Sequence, residues 1–244
     1  MQSRTVWKVC KLQNNNVGTV YLVSTPIGNL EDITFRAINI LKSVDLIAAE
    51  DTRRSKILLS KYDINTNMIS YFEHNKFQRL KQIEEILKNN KDVAVITDAG
   101  TPAISDPAYK LVRKAIDIGS KVEGIPGASA VLTALVSSGL PTDRFLFEGF
   151  LPPKKGRKKR IENFKNIEAT IIIYENNNRL KRTVNQLLEV LGDRPAVLCR
   201  ELTKVYEEIV RGTLSSLKDI LENKTYKGEC VLLLSKDNQN IYFD

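Results

Sequence analysis

Apolar runs of strand length alternate with segments of helical periodicity through the first 138 residues. That alternation constrains the fold more than any other property of the chain. Strand signals fall at residues 19–24, 45–50, 68–72, 92–97 and 121–124. Helical spacing falls between them, at residues 33–42, 55–62, 77–87, 109–118 and 128–137. Strands separated by helices cannot pair as hairpins, so the pattern predicts a mostly parallel sheet covered by helices.

The second half reads differently. Residues 139–144 are turn-rich and mark a linker. Strands are expected at 144–149, 170–175, 196–200, 207–212 and 229–235, and helices at 179–191 and 214–222. Adjacent strand signals with no long helix between them predict antiparallel pairing and hence a mixed sheet. The expected organisation is an N-terminal extension (1–17), an N-terminal α/β domain (18–138), a linker (139–144) and a C-terminal α/β domain (145–244). The extension has no apolar core segment and does not read as a secretory signal.

Charge is unevenly placed. The chain of 244 residues carries a formal net charge of +8. Lys154, Lys155, Arg157, Lys158, Lys159 and Arg160 crowd into residues 154–160, and without them the chain is nearly balanced. So dense a run reads as a landing site for phosphates rather than a bare solvated loop. Cys10, Cys199 and Cys230 are widely spaced and form no pair motif. That suits a reducing compartment, the cytoplasm, and gives no metal pattern. The one histidine excludes a His-rich metal site, and no apolar run is long enough to span a bilayer.

Three loops rich in Gly and Pro follow strand signals and lead into helical ones: Ser24-Thr25-Pro26-Ile27-Gly28-Asn29, Asp98-Ala99-Gly100-Thr101-Pro102 and Pro126-Gly127-Ala128-Ser129-Ala130. Loops leaving the carboxyl ends of parallel strands are where α/β sheets bind ligands. No Walker A loop, Gly-x-Gly-x-x-Gly turn or Gly-x-Ser-x-Gly elbow is present.

These loops belong to a longer ordered set: Thr25-Pro26-Ile27-Gly28-Asn29-Leu30, Glu50-Asp51-Thr52-Arg53, Phe72-Glu73-His74-Asn75, Asp98-Ala99-Gly100-Thr101-Pro102 with Ser105-Asp106-Pro107, Pro126-Gly127-Ala128-Ser129-Ala130, Gly139-Leu140-Pro141-Thr142-Asp143-Arg144, Arg200-Glu201-Leu202-Thr203-Lys204 and Arg211-Gly212-Thr213-Leu214. In that order they resemble the ribosomal RNA small subunit methyltransferase I family, a branch of the tetrapyrrole-methylase-like enzymes. The resemblance implies a two-domain α/β fold with S-adenosylmethionine in the cleft between the domains. It implies methylation of the ribose 2′-hydroxyl of a cytidine in the decoding region of 16S rRNA in the small ribosomal subunit, by a homodimer. It places cofactor contacts on Ile27, Ala99, Gly100, Thr101, Ile104, Ser129, Ala130, Tyr174 and Gly212.

Within the matched motifs, His74, Asp51 and Arg53 are the catalytic candidates. A ribose hydroxyl needs to lose its proton to attack, and histidine is the side-chain type that ordinarily exchanges protons near neutrality. His74 has two readings here, a general base or a group that positions RNA. Glu50, Glu73 and Asp98 are further carboxylates, and Arg53 and Arg54 suit phosphate. The chain departs from the family where Tyr174-Glu175-Asn176-Asn177-Asn178-Arg179 replaces the usual Tyr-Glu-Ser-Pro-His-Arg. Two other readings follow: a methyltransferase of the same fold acting on a tetrapyrrole-type small molecule, and an RNA-binding homologue with impaired catalysis.

Overall fold

The computed structural model describes residues 16–105 and 108–236. Nearly all of the expected extension, and Asp106 and Pro107 of the fourth matched stretch, lie outside them. The chain forms two compact units, Met1–Pro26 with Leu30–Ala128, and Ile27–Asn29 with the chain from Ser129 onward.

The first unit is built on β1 (Val20–Val23), β2 (Leu46–Ala49), β3 (Met68–Ser70), β4 (Val93–Ile96) and β5 (Val122–Ile125). Their order is β3-β2-β4-β1-β5, and every pairing is parallel. β2 and β4 are buried along their whole length, which is why they read as continuous apolar runs rather than alternating ones. Successive residues of β4 still divide between two cores. Val93 and Val95 pack with Ile83 and Leu87 of α3 (Lys76–Lys88) and with Leu111 and Ala115 of α4 (Ala108–Asp117). Ala94 and Ile96 pack with Ala37 and Leu41 of α1 (Phe35–Ser43) and with Leu59 of α2 (Thr52–Lys61). Helices therefore cover both faces. α1 starts where Thr34 Oγ1 accepts from Ala37 N at 3.1 Å, and α2 where Asp51 accepts from Arg53 N.

The second unit holds α5 (Ala130–Ser138), β6 (Phe145–Phe150), α6 (Arg157–Asn163), β7 (Thr170–Asn176), α7 (Asn177–Leu191), β8 (Pro195–Arg200), β9 (Glu208–Thr213), α8 (Leu214–Asn223) and β10 (Glu229–Leu234). Its sheet runs β6-β7-β10-β8-β9, with β6 parallel to β7 and the remaining pairs antiparallel. Ile171, Ile173, Leu198 and Leu232 meet Ile161, Leu180, Val184, Leu187, Leu217 and Leu221 in one core. α5 packs on β8 and β10. The units accordingly divide between Ala128 and Ser129, upstream of the expected linker at 139–144. Arg211 ties α5 in further: its Nε donates to Ser138 O at 3.1 Å, a cation at the helix C-terminus.

Among the described residues no helix is long and apolar enough to cross a membrane.

Candidate functional site

The three small-residue loops meet at the carboxyl edge of the first sheet. Thr25 and Gly100 form an antiparallel bridge, exchanging N–H···O bonds of 2.9 and 3.0 Å. Thr101 Oγ1 donates to Ala128 O at 3.2 Å, so the Ser24 hydroxyl, 3.0 Å from it, is the donor in their contact. Thr101 thereby joins all three loops. Gly127 lies so close to β1 that a Cβ on it would sit 2.9 Å from Ser24 Cβ. β1 and β4 are neighbours whose following helices lie on opposite faces of the sheet, which makes this edge a topological switch point.

The loop after β4 is held in costly backbone conformations. Gly100 has φ 85°, Ala103 φ 71° and Ser105 φ 67°. For the two non-glycine residues the left-handed region costs about 1–2 kcal/mol each, and such strain gathers at ligand sites. Ala99 is exposed, and Ile104 leaves an apolar side chain 46% exposed. Small walls, an apolar patch and backbone polar groups are the chemistry an adenosine moiety needs, so these residues fit the cofactor that the resemblance implies.

Beside this loop, at the ends of β2 and β4, charges are wired together. Asp98 accepts from Asp51 N at 3.0 Å and pairs with Arg54 Nη1 at 3.2 Å. Glu50 accepts from Thr97 Oγ1 at 2.5 Å and from Asp98 N at 3.3 Å. Asp51 takes three bonds from Arg53, and the side-chain bonds hold its carboxyl down to about 2. Arg53 itself is 90% exposed in its side chain, so its outer face is open to an anion. Burial pushes Asp98 up, helped by the charge of Glu50. A carboxyl raised by folding contributes stability that is fully present below its unfolded pKa and lost as pH rises through the folded one. Asp98→Asn is therefore expected to be no less stable than the wild type at pH 7, with any advantage shrinking below about pH 4. Urea melts at the two pH values check this; a clear loss at pH 7 would show that the pairing with Arg54 outweighs desolvation.

His74 stands apart from Asp51 and Arg53 in its bonding. It sits exposed on the turn between β3 and α3, its ring edge-on to Phe72 at 6.0 Å. Asn75 shapes that turn, accepting from Phe72 N at 2.9 Å and donating to Ser70 O at 3.1 Å.

In the second unit, Ile27 is buried and Ser129 is the residue before α5. Tyr174 packs edge-on against Phe147 and Phe150, at 4.9 and 5.6 Å. Burial pushes its phenol up to about 12. Gly212 has a local reason to be glycine, because a Cβ there would lie 2.3 Å from Ser216 Oγ in the capping box of α8. Residues 202–204 close around Gly28: Asn29 N donates to Thr203 Oγ1 at 3.0 Å, and a Cβ on Gly28 would come within 2.6 Å of that oxygen. Thr203, β-branched, has φ 66°, an outlier that its motif membership did not announce.

The basic run splits. Lys154, Lys155, Lys158 and Lys159 are exposed, and none has an ion pair among the described residues. Arg160 pairs with Glu148 at 2.9 Å. Arg157, expected on the phosphate-binding surface, instead turns inward and is 2% exposed. Its guanidinium donates to Gln186 at 2.7 Å, Pro152 O at 3.2 Å and Thr183 at 2.5 Å, and faces Glu175 at 3.4 Å. The reason is helical: Arg157 and Ile161 are four apart on the inner face of α6. Glu175, part of the Tyr174–Arg179 segment but given no role by the sequence, is the buried centre of that network.

Residues 19–218 match the model of the tetrapyrrole (corrin/porphyrin) methylases. "Ribosomal RNA small subunit methyltransferase I" of Halalkalibacterium halodurans is 50% identical over 94% of this chain and 80% of that protein. The protein of the same name from Thermotoga maritima is 44% identical over 90% of this chain and 99% of its own. Among solved structures, diphthine synthase overlays with a TM-score of 0.70 at 15% identity, covering 92% of each chain. Uroporphyrin-III C-methyltransferase of Thermus thermophilus, solved with S-adenosylhomocysteine, overlays with a TM-score of 0.64 at 19% identity, covering 90% of this chain and 98% of that one. At those identities the likeness is one of fold.

Proposed function

The chain belongs to the tetrapyrrole (corrin/porphyrin) methylase family, and from that premise we propose that it transfers a methyl group from S-adenosylmethionine to the 2′-hydroxyl of a cytidine in small-subunit rRNA. The observation that carries the reading is the convergence of the three small-residue loops at the switch point. Ala99, Gly100, Thr101 and Ile104 are the proposed cofactor contacts of the first unit. Ile27, Ser129, Ala130, Tyr174 and Gly212 are those of the second.

When bound, the cofactor supplies a methyl already activated by its sulfonium. The chain's residues have to align the attacking oxygen and take its proton, and alignment alone is worth several kcal/mol. Asp98, whose proton affinity burial raises, stands at the end of β4 directly before the cofactor loop, where it is proposed to contact the substrate nucleotide. Asp51 is held ionised by Arg53 and is better suited to fixing that arginine toward RNA phosphate. His74, exposed on its turn, is proposed to contact the RNA from the neighbouring strand end.

The exposed lysines support an RNA substrate over a small macrocycle, which needs no such cluster. Replacing Lys154, Lys155, Lys158 and Lys159 with Ala is expected to weaken rRNA binding and to flatten its log–log salt slope by up to about 3, at roughly 0.7 per phosphate contact. Cofactor affinity should not move. An unchanged slope, measured by filter binding across salt concentrations, would remove this face from the RNA site.

The reading also includes a cytoplasmic homodimer, supported by the resemblance and by Leu132 and Val136, exposed one turn apart on α5; sedimentation equilibrium checks the dimer. The decisive experiment is incubation with methyl-labelled cofactor and undermethylated small subunits, followed by location of the label. Label on a cytidine 2′-oxygen supports the reading. Binding without label would favour an RNA-binding homologue, which Asn176, Asn177 and Asn178 in place of Ser-Pro-His bring into view.

A further inference from the structure

A cavity of about 130 Å³ opens at the carboxyl edge of the first sheet, on the side of β4 that faces α2. It is lined by Thr25, Pro26 and Leu30 after β1, by Arg54, Ser55, Ile57 and Leu58 of α2, and by Thr97 and Asp98 after β4. None of the bonds described above fills it. We propose that this cavity receives the base of the nucleotide being methylated, turned out of its stack, and that Asp98 with Arg54 selects cytosine. The inference rests on the RNA methyltransferase reading and adds to it a pocket and two specificity-determining residues.

Size is the first argument. A cavity of ~150 Å³ accommodates a benzene ring. The cavity, about 130 Å³ and open to solvent on one side, is on the scale of a single six-membered ring.

The walls are the second argument. The lining divides into apolar walls, from Pro26, Leu30, Ile57 and Leu58, and polar groups, from Thr25, Arg54, Ser55, Thr97 and Asp98. A flat heteroaromatic ring with one polar edge requires that division. Ser55 is 5% exposed, and its Oγ is buried with no hydrogen-bond partner. A buried hydroxyl without a partner is uncommon and calls for a ligand or water.

The order of donors and acceptors is the third argument. Each Asp98 oxygen takes one bond within the protein, from Asp51 N and from Arg54 Nη1, and keeps a lone pair. An acceptor therefore lies beside a donor, the guanidinium of Arg54. Cytosine presents the complement: its 4-amino group donates and its N3 accepts. Uracil presents the reverse, setting its O4 against the carboxylate. Asp98 also directly precedes Ala99, so a base held here lies beside the loop assigned to the cofactor.

The test uses undermethylated small subunits carrying either cytidine or uridine at the target position. The full-length enzyme is expected to methylate the cytidine substrate at least ten times faster, the discrimination of one good edge contact. Asp98→Asn should bring the two rates together. Ser55→Leu, which fills the cavity, should raise KM for the subunits at least tenfold while leaving calorimetric cofactor affinity unchanged. Binding of CMP and UMP, followed through the Leu58 methyl resonances, gives a readout independent of transfer: CMP should shift them and UMP should not. Equal rates on both substrates, retained preference in Asp98→Asn, or Leu58 resonances blind to CMP would each overturn the pocket. Absence of label from any RNA, with CMP still shifting Leu58, would instead overturn the function and leave the pocket standing.

Discussion

Glu175→Ala is expected to destabilise the protein by about 3–5 kcal/mol, the usual consequence of stripping one partner from a buried ion pair. The Glu175 side chain is fully buried and accepts from Arg179 at 2.7 Å, Thr183 Oγ1 at 2.6 Å and its neighbour Asn176 N at 2.9 Å, and it faces Arg157 at 3.4 Å. Without it Arg157 is a cation in the core, and burial already lowers its affinity for a proton. Urea denaturation followed by circular dichroism reads the loss. Replacing Arg157 and Glu175 together with Met should cost less than Glu175→Ala alone, because the double change removes the charge as well as its partner. Equal midpoints for Glu175→Ala and the wild type would show that water reaches the pair.

Gly100→Leu is expected to abolish measurable S-adenosylmethionine binding, a loss of at least 100-fold. Two effects act together. At φ 85° an L side chain is strained by about 1–2 kcal/mol. The residue is also buried, with its backbone bonded both ways to Thr25, so a leucine side chain has to displace its neighbours or break the bridge. Calorimetry with the cofactor reads the affinity, and a melting curve tells obstruction from unfolding. Gly100→Ala keeps the strain and omits the bulk, so it should retain partial affinity. Unaltered binding by the Leu variant would remove the loop from the cofactor site.

The first sheet was legible because its central strands are buried on both faces and have to be apolar throughout. Leu46, Ile47, Ala48 and Ala49 leave no other reading once helical periodicity surrounds them. The three loops were legible for a related reason: small residues and Pro mark tight turns wherever they occur. α6 was not legible as a helix. Its inner face is Arg157 and Ile161, and an arginine gives no apolar period. Nothing local distinguishes Arg157 from Lys158; what draws it inward is Glu175, on a different strand. The cavity beside Asp98 was hidden for the same reason, since residues from β1, α2 and β4 have to be folded together before it exists. The strain at Ala103 and Thr203 was likewise invisible, because neither residue type favours the conformation it adopts.

Residues 27–29 carry a consequence for how relatives of this protein exchange segments. They come from the loop after β1, yet they belong with residues 202–204, where Gly28 has no space for a side chain. A single recombination crossover between Ala128 and Ser129 looks like a clean exchange of units. It would in fact seat one parent's Gly28 on the other parent's Thr203 turn. Chimeras should therefore survive only where both parents keep glycine at 28 and a hydroxyl at 203, and a second, short exchange around residues 27–29 should rescue those that fail.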